Sequence, residues 1–152
     1  MAKYEAGTYV NLVAPNASSD LADGALLAIS YDNSGADDLW FWANVQLTMK
    51  FKTSAPAARI IIAELYLLPT VTDVPEGDDG TDTPQDALLV GTFQTINPHI
   101  TTTEFLALPA ISLPPAVMNF VIKNVSGETF VAAVPEGATG WGLRILPFRT
   151  QK

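Results

Sequence analysis

The sequence predicts an all-β protein: an antiparallel two-sheet β-sandwich, jelly-roll-like, with eight to nine strands. Three observations carry this expectation. No window of about 11 residues or more keeps the i, i+3, i+4, i+7 apolar stripe of an amphipathic helix, whereas alternating or continuous apolar runs of strand length recur along the chain. Eleven prolines and ten glycines interrupt the 152 residues at short intervals, which disfavours a helical or βαβ architecture. Short strands at this spacing fit two packed sheets.

The elements follow in order. Tyr4, Ala6, Thr8 and Val10 alternate loosely and Pro15 closes the run, so a strand is predicted near 6–14. Residues 1–20 read as an N-terminal arm or an edge strand, and 21–152 as the sandwich domain. After the turn-rich "APNASSDLADG" a second strand is predicted near 24–32, and after "DNSGADD" a third near 39–52. This third strand, "LWFWANVQLTMKF" (39–51), puts Leu39, Phe41, Ala43, Val45, Leu47, Met49 and Phe51 on one face. The other face holds Trp40, Trp42, Asn44, Gln46, Thr48 and Lys50, so two tryptophans lie on its wet side. "ARIIIAELYLLP" is apolar on both faces except at Glu64, as a central strand covered twice would be, and predicts a strand over 58–68. Further strands are predicted near 87–96, 103–113, 116–124, 128–134 and 141–149. "NVSG" between "NFVIK" and "TFVAA" reads as a hairpin turn, since Asn and Gly both tolerate positive φ.

Composition narrows the function classes. A hydrophobic fraction of 48% with 16% charged residues describes a folded chain. Cysteine is absent, which removes disulfides, thiolate metal sites and thiol nucleophiles. Net charge is −8, and no Lys or Arg lies between Arg59 and Lys123. Nucleic acid and anionic membrane, which need clustered cations, are therefore not expected partners. The N-terminal "MAKYEAGTYV" has no continuous apolar run and no stretch reaches membrane-spanning length, so the protein is expected to fold in a cytoplasm.

Catalytic chemistry finds little footing. The lone histidine, His99, follows a proline in a Thr-rich turn, and no nucleophile elbow, phosphate-binding loop or dinucleotide fingerprint is present. No enzymatic activity and no cofactor are expected. The segment 72–86 gathers Asp73, Glu76, Asp78, Asp79, Asp82 and Asp86 without a cation among them. Asp78, Asp79 and Asp82 are its candidate cation ligands, but no register gives the ligand spacing of a calcium loop. A solvated acidic loop is the competing reading, and no metal site is assigned. The candidate interface residues are Trp40 and Trp42, together with Tyr4, Tyr9 and Val10 from the arm. The tryptophans are open to three readings: cover by the chain's own loops, a protein interface, or a stacking platform for a sugar.

The runs "AELYLLPTVTDVPEGDDGTDTPQDALLVGTFQ" and "LPAISLPPAVMNFVIKNVSGETF", with the close "GLRILPFRTQK", resemble a group of small virion proteins of tailed bacteriophages. In that group a "LYLLP-V-D" strand enters a Gly/Asp-rich loop and leaves through "P--LLVG-F". A "LPP--F--VLKN-SG--F" hairpin follows, and a basic "L---PYR" strand ends the chain. The matching pieces here are Leu65 to Pro69, Pro84 to Phe93, Leu113 to Phe130 and Leu143 to Arg149. "NPHITTTEF" and "ATGWG" depart from the pattern, and residues 1–38 carry none of it. The resemblance implies a capsid decoration (cement) protein with a β-sandwich fold, found on the capsid surface of the virion and made in the host cytoplasm. It further implies binding to the major capsid protein and self-association as a homotrimer. The alternative is a glycan- or receptor-binding module of a tail or head fibre.

Overall fold

The computed structural model describes residues 3–15, 18–35, 39–51, 60–69, 87–95, 103–132 and 140–150. These form nine strands and no helix: β1 (Tyr4–Ala6), β2 (Val10–Val13), β3 (Leu26–Asp32), β4 (Trp42–Met49), β5 (Ile61–Pro69), β6 (Leu88–Gln94), β7 (Glu104–Ser112), β8 (Val117–Asn124) and β9 (Gly142–Thr150). Every pairing is antiparallel. One sheet runs β1-β9-β4-β7, with β2 continuing β1 along β9, and the other runs β3-β8-β5-β6.

This order has a simple origin. The pairs β2–β9, β3–β8, β4–β7 and β5–β6 nest inside one another as a single long hairpin whose tip is β5–β6. Rolling that hairpin brings β4 against β9 and β5 against β8, which divides the strands between two sheets in jelly-roll order. The inward positions fill the space between the sheets: Val45 and Leu47 from β4, Leu65 from β5, Phe120 and Ile122 from β8, and Ile145 from β9 are all buried. Fully burying a side chain of this size stabilises by about 1.5–3 kcal/mol. β5 sits between β6 and β8, and its Glu64 accepts a hydrogen bond from the Tyr66 hydroxyl at 2.6 Å.

Three expectations require correction. The first strand is divided: β1 and β2 are separated at Gly7–Tyr9, and β2 is irregular between Asn11 and Val13. The strand expected over 39–52 begins at Trp42, so the strict alternation fails at its start and Phe41 is 44% exposed instead of facing the core. The hairpin after β8 does not form. Of the strand expected over 128–134, the described residues contribute only Phe130, which bridges to Leu21 and to Phe51.

The cause of this last departure is local. Gly127 does take positive φ, at 83°, but Asn124 uses its side chain to redirect the chain. Its buried amide donates to the carbonyls of Leu21 (2.8 Å) and Glu128 (2.7 Å). Its Oδ1 accepts from the Ser126 N–H (3.0 Å) and hydroxyl (2.7 Å). The chain is thereby turned away from β8 toward Leu21 and Phe51.

Candidate interaction face

The two tryptophans lead different lives. Asn33, at 3% exposure, donates Nδ2 to the carbonyls of Trp40 (2.8 Å) and Pro114 (2.9 Å), and its Oδ1 accepts the Trp40 N–H (3.1 Å). That clamp holds residue 40 outside the β4 ladder and turns its ring toward the chain's own edge. The guanidinium of Arg149 lies 4.8 Å from the Trp40 ring centroid, and Arg149 Nε is paired with Glu5 Oε2 at 3.0 Å. Gly7 passes so close that a Cβ there would stand 3.1 Å from the Trp40 ring. Trp40 is half-buried, packed against the core and partly covered by its own chain.

Trp42 faces the other way. Its neighbour Ala43 is fully buried, so Trp42 points out from the β1-β9-β4-β7 sheet, opposite Phe148 of β9 and Ser112 of β7. The Trp42 and Phe148 rings stack with centroids 5.8 Å apart and planes inclined by 26°. Tyr4 meets Phe148 edge-on at 6.4 Å, and Phe41 meets Trp42 edge-on at 5.7 Å. The result is a row of four aromatics, Tyr4, Phe148, Trp42 and Phe41, running across three strands at one end of the sheet. Aromatic pairs of this geometry contribute about 0.5–1.5 kcal/mol beyond their burial.

Further along the same face stands Arg144. Its guanidinium lies 4.2 Å from the centroid of the Tyr9 ring, and its Nε donates to Gln46 Oε1. The outward positions of this sheet follow from the registers. They are Tyr4 and Ala6 on β1, Asn11 on β2, Trp42 to Thr48 at alternate positions on β4, Arg144 to Thr150 at alternate positions on β9, and Phe105, Ala107 and Ser112 on β7. None of them is an aspartate or glutamate, in a chain with sixteen such residues. At its described outward strand positions the face combines aromatics with one arginine and carries no carboxylate, a composition enriched at protein interfaces.

The structure therefore brings Trp42, Tyr4 and Tyr9 to one face and sets Trp40 and Val10 apart from it. Val10 pairs with the buried Ile145 and packs against the core. Phe148, Arg144 and Phe41 belong to the face and were not anticipated from sequence. The alternation of Arg144, Leu146 and Phe148 in "LRILPFRT" is the signal that could have marked two of them. Asp78, Asp79, Asp82 and His99 lie outside the described residues. Among the described residues no group of three or more His, Asp or Glu is placed to hold a metal ion.

No family model and no curated protein matches this sequence. Among solved structures, the chain is similar to one from the structure of infectious bursal disease virus, Gx strain, at 9% identity and a TM-score of 0.30. The similarity covers 99% of this chain but 37% of that one, so this chain spans well under half of its length. A likeness this distant carries no argument about function.

Proposed function

We propose that this protein is a non-enzymatic structural component of a phage particle. It decorates the capsid surface as a trimer and binds the major capsid protein through the outer face of the β1-β9-β4-β7 sheet. The observation that supports this reading is the carboxylate-free aromatic row Tyr4–Phe148–Trp42–Phe41 with Arg144 beside it, on a chain of net charge −8. Aromatic and arginine side chains supply most of the energy at protein interfaces, and an acidic chain approaches a partner at least cost where it carries no acid of its own. The phage assignment itself rests on the sequence resemblance, because a jelly roll also serves lectin and cupin domains.

The test is co-sedimentation of the purified protein with empty capsids, comparing the wild type with the double variant Trp42→Ala, Phe148→Ala. Loss of capsid binding with unchanged circular dichroism is the expected result. Undiminished binding by the double variant sinks the assignment of this face.

A second reading draws on the same side chains. Asn44, Gln46 and Arg144 stand beside Trp42 on one face, as hydrogen-bonding groups flank the aromatic platform of a sugar site. Binding to a glycan array without binding to capsids selects that reading.

A further inference from the structure

Arg144 is the one charged residue at the described outward strand positions of the β1-β9-β4-β7 sheet. In register it stands between Asn11 of β2 and Gln46 of β4, so three polar side chains form a row across the sheet. Its guanidinium is held from two sides. The Tyr9 ring lies against it, with the ring centroid 4.2 Å from Cζ, and Nε donates to Gln46 Oε1 at 2.5 Å. Among the described residues no carboxylate pairs with Arg144 and its side chain makes no other hydrogen bond. The two terminal nitrogens, which carry four of the five N–H donors, are left for a partner. Arg149 on the same strand differs, because its Nε is already paired with Glu5.

Both contacts orient the guanidinium, and neither neutralises it. The Tyr9 ring and the Gln46 amide are uncharged, and the described outward positions around them hold no aspartate or glutamate. In water this costs nothing. Under a partner that covers the face it does, because a charge taken out of water without a counter-charge is strongly destabilising. The counter-charge therefore has to come from whatever covers the face. A planar guanidinium with its two terminal nitrogens open matches the two oxygens of a carboxylate, and one already fixed in place loses little freedom on pairing.

We infer that Arg144 is the anchor for an acidic side chain of the capsid protein: its terminal nitrogens hold an Asp or Glu carboxylate in a bidentate pair while the aromatic row takes an apolar segment. The inference rests on the capsid-binding reading above and deepens it by naming the chemistry of the partner's contact. It also sets a spacing. Arg144 and Phe148 are four residues apart on β9, so the partner presents its acid about 13 Å from the apolar segment that covers Phe148. Tyr9 and Gln46 act through Arg144 and are positioning residues. A chain of net charge −8 repels acidic surfaces over most of its area, so an acid of the partner is accepted at this point and opposed elsewhere.

The experiment measures affinity for empty capsids by co-sedimentation across a concentration series. Arg144→Gln is expected to weaken binding at least about tenfold with unchanged circular dichroism. Arg144→Met gives the same reading should the glutamine variant fail to fold. Arg144→Lys keeps the charge but not the planar fork and is expected to recover only part of the loss. Tyr9→Leu with Gln46→Ala keeps the guanidinium but frees it, and is expected to weaken binding several-fold. Surface acids of the capsid protein are then changed one at a time, Asp→Asn or Glu→Gln. One such capsid is expected to bind the wild type and Arg144→Gln equally, which identifies the paired carboxylate. Wild-type affinity in Arg144→Gln, full recovery in Arg144→Lys, or a difference that no single capsid acid removes would each overturn the inference. If Trp42→Ala, Phe148→Ala alone loses binding, the inference fails and the capsid-binding reading stands. If the wild type does not sediment with capsids, both fail. Arg144-dependent binding to an acidic glycan without binding to capsids also overturns the inference and assigns the arginine to a sugar site.

Discussion

Ala110 occupies the left-handed region of backbone space at φ 46°, the sole described non-glycine residue to do so. A Cβ in that conformation costs about 1–2 kcal/mol. The β7 bulge persists there because Asn44 Oδ1 accepts the Ala110 N–H at 2.9 Å. Ala110→Gly is expected to stabilise the fold by about 0.5 kcal/mol, since relief of the strain is partly offset by about 0.4–1 kcal/mol of added unfolded-state freedom. Asn44→Ala is expected to destabilise by about 1 kcal/mol through the lost hydrogen bond. Urea midpoints of the two variants check both signs.

Tyr31 and Asp32, at the end of β3, set opposite limbs of the pH profile. Burial, and secondarily the charge of Asp32, raises the Tyr31 phenol above its ordinary value. A raised acid favours the neutral form in the folded state, so its contribution is complete below about pH 10 and is lost as pH climbs through the folded value. The Ser34 hydroxyl (2.6 Å) and N–H (2.8 Å) donate to Asp32 and hold its carboxyl below the usual range. Its contribution is present above about pH 3.9 and is lost as pH falls through the folded value. Tyr31→Phe is therefore expected to flatten the alkaline limb alone, whereas Asp32→Asn is expected to flatten the acid limb and, by removing the charge that helps raise Tyr31, to shallow the alkaline limb slightly, in unfolding midpoints measured against pH.

At the scale of the elements, two glycines separate strands that tolerate a methyl group from strands that do not. A Cβ on Gly142 of β9 would stand 2.5 Å from Pro15 Cγ and 2.9 Å from the Val13 carbonyl, so the backbone leaving β2 would have to move. A Cβ on Gly91 of β6 would meet only the tip of Leu108, which can rotate. Gly142→Ala is expected to cost about 2–3 kcal/mol and Gly91→Ala about 1 kcal/mol or less, read from thermal or urea unfolding. The strands themselves were largely legible in the sequence. β3, β5, β6, β7, β8 and β9 lie close to their expected bounds because apolar periodicity and turn residues agree there. What was not legible depended on single polar side chains acting over long sequence separations. Asn33 removes Trp40 from the β4 alternation, and Asn124 turns the expected hairpin into a crossing. The candidate face was half legible for the same reason. Trp42 follows the period-two rule, whereas its stacking partner Phe148 is 106 residues away and becomes its neighbour only once β4 and β9 pair.

At the scale of the molecule, the nested hairpin ties the first strands to the last, so β9 is completed by the N-terminal segment. The two halves of that segment differ in kind. β1 adds three backbone pairings, the Glu5–Arg149 pair and the edge contact of Tyr4 with Phe148, but no buried side chain. β2 directs Val10 and Val13 toward the core and leads to Pro15 over Gly142. Deleting residues 1–6 is expected to cost about 1–2 kcal/mol, lowering Tm by a few degrees while the sandwich stays intact. It removes Glu5 from beside Arg149 and opens one side of the Trp40 ring, so tryptophan emission is expected to shift to the red. Deleting residues 1–13 exposes inward positions of β9 as well and is expected to abolish cooperative unfolding. Equal losses from the two deletions would show that β1, and not the β2 core contacts, anchors the N-terminus. Capsid co-sedimentation of Tyr4→Ala then isolates Tyr4: weaker binding by this folded variant places the end of the aromatic row in the contact.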